Sequence, residues 1–229
     1  FVAVPLVVLG LIQFLPAHPA LHFAVLLVLL APCIDYVVVF THLGRGDTKL
    51  ILAATPVLLI AQMLLLPVYI GLFLGSDAAG LVQASPFLHA FFWLIAIPLG
   101  LAGATQSWAA RRASGRRVEG VMGWLPVPLM ALVLLLVFAA VAPRIGAASA
   151  DVARTVPIYA AFAIIMPLVA YAVGKLMGLD VGAGRALAFS AGTRNSLVVL
   201  PLAFAVPGGG ALIPAVVVTQ TLVELVSEL

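Results

Sequence analysis

Charge is scarce in this chain. Of 229 residues, 11 are Lys or Arg and 8 are Asp or Glu, 8% in all, against about 25% in a soluble domain. So little charge cannot cover a surface that faces water, which excludes an ordinary soluble globular protein. Cysteine is nearly absent as well. Cys33 stands alone, so an intrachain disulfide and any multi-cysteine metal site are excluded. No initiator Met, basic n-region or small-residue cleavage site precedes the first apolar run, so the chain reads as a fragment whose beginning is missing. Catalytic signatures are missing too: there is no Gly-x-Ser-x-Gly or His-Glu-x-x-His, and Asp35 has no obvious Asp partner for a two-carboxylate protease. Neither an enzyme nor a cofactor is expected.

What the chain has instead is apolar length. Hydrophobic residues make up 65% and the mean hydropathy is +1.28, the composition of an integral membrane protein. A hydrocarbon core of about 30 Å takes about 20 helical residues to cross. Polar and Gly/Pro-rich breaks divide the chain into eight such stretches, near 1–15, 21–43, 50–74, 86–109, 121–142, 155–175, 186–206 and 211–229. They form a single all-α transmembrane domain over 1–229.

Basic residues alternate with these stretches. Arg45, Lys49, Arg111, Arg112, Arg116, Arg117, Lys175 and Arg185 fall in one set of loops, and Arg144 and Arg154 in the other. Eight against two is a strong positive-inside bias, which predicts both ends of the fragment in the cytoplasm and a multi-pass inner (plasma) membrane protein. It also accounts for the formal charge of +3 without a nucleic-acid partner. Membrane lipid is the expected partner of the basic 111–117 loop.

Two charges sit inside apolar stretches: Asp35 in Ala31-Pro32-Cys33-Ile34-Asp35-Tyr36, and Arg194 in Gly192-Thr193-Arg194-Asn195-Ser196. A charge near the middle of a membrane helix costs about 2.5 to 3.5 kcal/mol even on lenient insertion scales, and such residues commonly serve transport. Both stretches also look broken. Pro32 removes a backbone donor and disfavours helix at Ala31, and the segment from Ser190 to Ser196 is small and polar. Interrupted helices in corresponding halves point to a transporter's binding site. If the two breaks cross, Asp35 and Arg194 are expected to pair.

An internal repeat joins the halves. Pro56, Gln62 and Leu64 recur as Pro214, Gln220 and Leu222 at one offset of 158. Each copy follows a broken stretch, and the loop charges run the two in opposite directions, so the repeat is inverted. Gln62, Thr193 and Gln220 are candidates to line the crossing. A channel would need a repeated selectivity ring, which one chain with inverted repeats does not offer.

These residues resemble a known family. The run from Cys33-Ile34 through Leu43-Gly44-Arg45-Gly46-Asp47 is similar to the fourth-helix signature of the arsenite efflux permeases, a branch of the bile acid:sodium symporter superfamily. Leu222-Val223-Glu224 resembles the tenth-helix motif of that branch, and Phe189 to Ser196 resembles the ninth-helix crossover. The resemblance implies a ten-helix inverted-repeat fold with two discontinuous crossing helices, of which this chain holds eight. It implies proton-coupled efflux of arsenite or antimonite, with Cys33 a candidate ligand to trivalent arsenic and Glu224 a candidate proton carrier; Asp35, as a buried charge, is the other candidate carrier, or else a partner that only locks the crossing to Arg194. Arg194, Asn195 and Ser196 would face substrate. The chain also departs from the family. Where sodium-coupled members keep a Glu and a Gln in the ninth helix, Ser190 and Arg194 stand here, so a proton is expected in preference to sodium. Sodium-coupled or uncoupled transport of an organic anion is the alternative, and the residues leave oligomeric state open.

Overall fold

The computed structural model describes residues 2–34, 36–75, 91–147, 149–206 and 210–228. Among them the chain is helical, with no strand beyond one isolated backbone bridge. Contacts divide it into two compact units, one made of Phe1–Gln83 with Val141–Leu229 and one of Ala84–Ala140.

The larger unit begins with α1 (Ala3–Ile12) and α2 (Pro19–Leu29). Pro19 starts α2 where its missing N–H costs nothing, and the His18 ring accepts the Leu21 N–H. The stretch expected over 21–43 is two helices here, α2 and the short α3 (Val37–Leu43). Next comes α4 (Thr48–Leu74), whose 27 residues extend about 40 Å at 1.5 Å per residue. Asp47 caps it, accepting from the N–H groups of Lys49 and Leu50. The buried residues of α4, Ile51, Leu59, Gln62, Leu66 and Ile70, recur at helical spacing. Leu52, Val57, Leu64 and Leu72 on its other sides are exposed, a surface suited to lipid and not to water.

In the smaller unit a π-helical stretch, Phe91–Ala96, runs into α5 (Ile97–Arg111), followed by α6 (Ala113–Met122) and the start of α7 (Pro126–Ala147). The basic segment expected as a loop is therefore largely helix. Its charges are compatible with helix, and the chain turns on one residue, Arg112, at φ −140° and ψ 142°. The turn is tight: a Cβ on Gly115 would come within 2.6 Å of the Ala109 nitrogen.

The remainder of the larger unit holds α8 (Ser149–Leu176), α9 (Val181–Gly192), α10 (Ser196–Ala205) and α11 (Leu212–Ser227). α8 starts six residues before its apolar window because a solvated first turn precedes it, with Asp151 and Arg154 paired at 3.3 Å. α9 starts at Val181 because Asp180 caps it through the Ala183 N–H. α4 and α8 are each long and apolar enough to cross a membrane.

The ends of α3 and α9 meet closely. The Asp47 N–H donates to the Gly182 carbonyl at 3.0 Å, and a Cβ on Gly46 would lie 2.8 Å from Thr41 Cγ2 and 3.1 Å from the Ala186 nitrogen. This contact explains the small residue before Asp47. α11 is the central helix of the unit, buried almost continuously from Ile213 to Thr221, and it packs against α2, α8 and α10. The Tyr159 hydroxyl on α8 donates to the Val216 carbonyl at 3.1 Å.

Candidate functional site

The two breaks lie against each other. Pro32 and Arg194 form an antiparallel bridge; the Cys33 N–H donates to the Thr193 carbonyl at 3.2 Å, and the Asn195 N–H to the Ala31 carbonyl at 2.9 Å. Each break thus satisfies polar groups the other has freed, as buried non-helical backbone requires. Beyond the break, the Asn195 side chain restarts the helix by capping α10 through the Val198 N–H.

This pairing has a cost at the ends of α2 and α9. In a continuous helix the Leu29 carbonyl would accept from the N–H of Cys33, Ser190 from that of Arg194, and Ala191 from that of Asn195. Here the Cys33 and Asn195 groups are committed across the break, and the Arg194 N–H donates to Glu224 Oε2 at 2.7 Å. Three carbonyls are left without their usual donors. The Arg194 guanidinium takes all three: Nη1 donates to Leu29 at 3.1 Å, and Nη2 to Ser190 and Ala191 at 2.7 Å each. Its Cζ lies over the Phe162 ring, 5.3 Å from the ring centre. The side chain is 2% exposed. A cation at two helix C-termini meets the negative ends of both dipoles.

Glu224, on α11 and also buried, gathers three donors. The Tyr36 hydroxyl donates to Oε1 at 2.7 Å, while the Arg194 N–H and the Gln220 Nε2 both reach Oε2. Tyr36 has a second acceptor within reach, the Arg194 carbonyl at 3.0 Å. One turn on, Glu228 Oε1 lies 2.5 Å from the Thr193 hydroxyl, itself 2.6 Å from the Phe189 carbonyl. Ser196 and Thr221 join α10 to α11 with their hydroxyls 2.5 Å apart.

Two cavities adjoin the crossing. One of about 590 Å³ is walled mainly by apolar side chains of α1 and α8, with Pro32, Ser190, Ala191 and Arg194 at the crossing. The other, about 240 Å³, reaches Pro167, Phe189, Gly192, Ser227 and Glu228.

The structure brings together Cys33, Thr193, Arg194, Asn195, Ser196, Gln220 and Glu224. Cys33 is fully buried beside the bridge and lines neither of these two cavities. Gln62 is buried on α4, and both of its amide atoms lack a hydrogen-bond partner among the described residues, as do Asn195 Nδ2, Gln220 Oε1 and Arg194 Nε. Asp35 lies outside the described residues, so its expected pairing with Arg194 does too; among the described residues Arg194 forms no ion pair. Tyr36, Ser190, Phe162 and Glu228 were missed as site residues. Tyr36 had a signal, since it stands 158 residues from Arg194, the offset of the repeat. Glu228 had a weaker one, four residues after Glu224 on the same helix face.

The family model for the sodium bile acid symporter family matches residues 1–148. The chain belongs to the sodium bile acid symporter family. Members of this family are membrane-integral transporters, in keeping with the apolar helices and the paired breaks. The matched stretch carries the first break, with Cys33 and Tyr36; Arg194 and Glu224 lie beyond it. Comparison with curated proteins returned no match.

Proposed function

We propose that the chain is the transport domain of a proton-coupled secondary transporter that expels arsenite or antimonite across the plasma membrane. One observation carries this reading: Tyr36 and Glu224, from the two stretches that resemble the arsenite permease signatures, share a hydrogen bond of 2.7 Å. Two motifs far apart in the chain therefore act on one crossing. Eight spans in an inverted repeat, with both ends cytoplasmic, provide the frame, and alternating access comes from rocking of the repeats about the crossing.

Glu224 is the proton carrier in this mechanism. Ionised, it accepts from Tyr36, Gln220 and the Arg194 N–H together, which ties α11 to both breaks. A proton on Oε1 must displace the Tyr36 hydrogen, and the Tyr36 hydroxyl then accepts from Glu224 and donates to the Arg194 carbonyl, which is already within reach. Protonation so rewires the contact between α11 and the crossing without orphaning a polar group. Asp35, in the run between Cys33 and Tyr36, is the second proton carrier. Cys33, a soft thiolate ligand suited to trivalent arsenic, and Asn195 and Ser196 engage substrate when the crossing opens.

A second reading is favoured by the larger cavity. Its apolar wall and the cationic side chain of Arg194 suit an organic anion with an apolar body. Arsenite accumulation in everted vesicles bearing the full-length protein, the counterpart of extrusion from the cell, separates the two. Extrusion driven by an imposed proton gradient and lost in Glu224→Gln is expected. Uptake of an organic anion with no movement of arsenite overturns the first reading in favour of the second.

A further inference from the structure

We infer that Arg194 is a tethered cation standing where a mobile metal cation would otherwise bind, so that the crossing closes without sodium or potassium. The inference is independent of which substrate moves and of the role given to Glu224. Unwound backbone and half-helix C-termini are where secondary transporters hold coupling cations, because carbonyl oxygens there lack their helical donors. In this chain the oxygens of Leu29, Ser190 and Ala191 are such a set. Their usual donors are committed elsewhere, to Thr193, Glu224 and Ala31, and the Arg194 guanidinium satisfies all three oxygens. A free cation placed among them would meet a fixed positive charge at contact distance and find its ligands occupied. Guanidinium stays protonated across the biological pH range, so the occupant neither leaves nor titrates.

Cutting the tether should open the site. A small neutral side chain at position 194 leaves three converging carbonyls, with no donor, at the ends of two helix dipoles and beside the Glu224 carboxylate. That is a hard oxygen site for a monovalent cation. Arg194→Lys would restore a charge but not the fork that serves all three oxygens.

Thermal unfolding of the purified full-length protein in detergent tests this, with sodium, potassium or choline chloride at constant ionic strength. The wild-type midpoint is expected to be the same in all three salts. Arg194→Ala and Arg194→Gly are expected to melt lower in choline and to recover in a saturable way with sodium or potassium. The recovery is about 3 to 6 °C at tenfold excess over the dissociation constant. Arg194→Lys is expected to fold and to ignore the salt. A saturable response of the wild type to sodium overturns the inference, and that measurement needs no variant. So does a folded neutral variant indifferent to every cation. Because the readout is binding and not transport, failure here leaves the proposed efflux standing, and failure of efflux leaves this result intact.

Discussion

The Tyr36 hydroxyl donates to Glu224 Oε1 at 2.7 Å, joining residues 188 positions apart. The bond ties the segment after the first break to the central helix. Tyr36→Phe removes that donor and leaves the ring in place. Stability should fall by about 1 kcal/mol. Proton-driven extrusion should fall about tenfold, the rate counterpart of about 1.4 kcal/mol. A variant that melts lower yet transports at the wild-type rate would confine Tyr36 to a packing role.

Glu224→Gln reproduces the protonated arrangement. Its amide oxygen can face the Arg194 N–H and Gln220, while its amide nitrogen donates to Tyr36. The variant should therefore fold with a midpoint within about 4 °C of wild type, roughly 1 kcal/mol in a chain of this size, and should lose proton-driven extrusion at every pH. Glu224→Ala instead orphans the buried Arg194 N–H, at about 1 to 3 kcal/mol. The contrast between the two, read by melting and by extrusion at several pH values, separates proton carriage from scaffolding.

Cys33→Ser changes sulfur to oxygen at a fully buried position beside the bridge. The fold should hold, because the Cys33 backbone bond to Thr193 is untouched. Arsenite extrusion should fall more than tenfold, while any transport of an organic anion should stay as it was. Equal arsenite rates in the two proteins would remove the thiol from the mechanism.

Gly46→Val tests the contact between the ends of α3 and α9. Even a Cβ would press on Thr41 and on the Ala186 nitrogen, and a branched side chain adds to the overlap. A loss of about 1 to 3 kcal/mol is expected, read as a midpoint lower by about 2 to 12 °C.

The breaks were legible in the residues. Pro32 lacks an N–H, and a small polar run interrupts the stretch around Arg194, so neither segment reads as continuous apolar helix. The cap at Asp180 and the helix over Ala113–Met122 were less legible, because hydropathy marks apolar windows and says little about polar residues that extend or join helices. The partners of Arg194 were not legible at all. A buried guanidinium leads the eye to a carboxylate, but its donors go to carbonyl oxygens, and those oxygens need it only because their own N–H groups are bonded elsewhere, two across the break and one to Glu224.

Composition and periodicity alone determined that the chain is helical and at home in a membrane, since 65% apolar residues in long runs can satisfy their backbone in lipid only within helices or a closed barrel. They also marked Cys33, Asp35 and Arg194 as costly or unusual residues there, while Glu224 stood out only through its resemblance to a family motif. Tertiary structure alone decided what Cys33, Arg194 and Glu224 touch. Hydrogen bonds that span 30 to 188 positions depend on how two interrupted helices pack against a third, and no local pattern encodes that register.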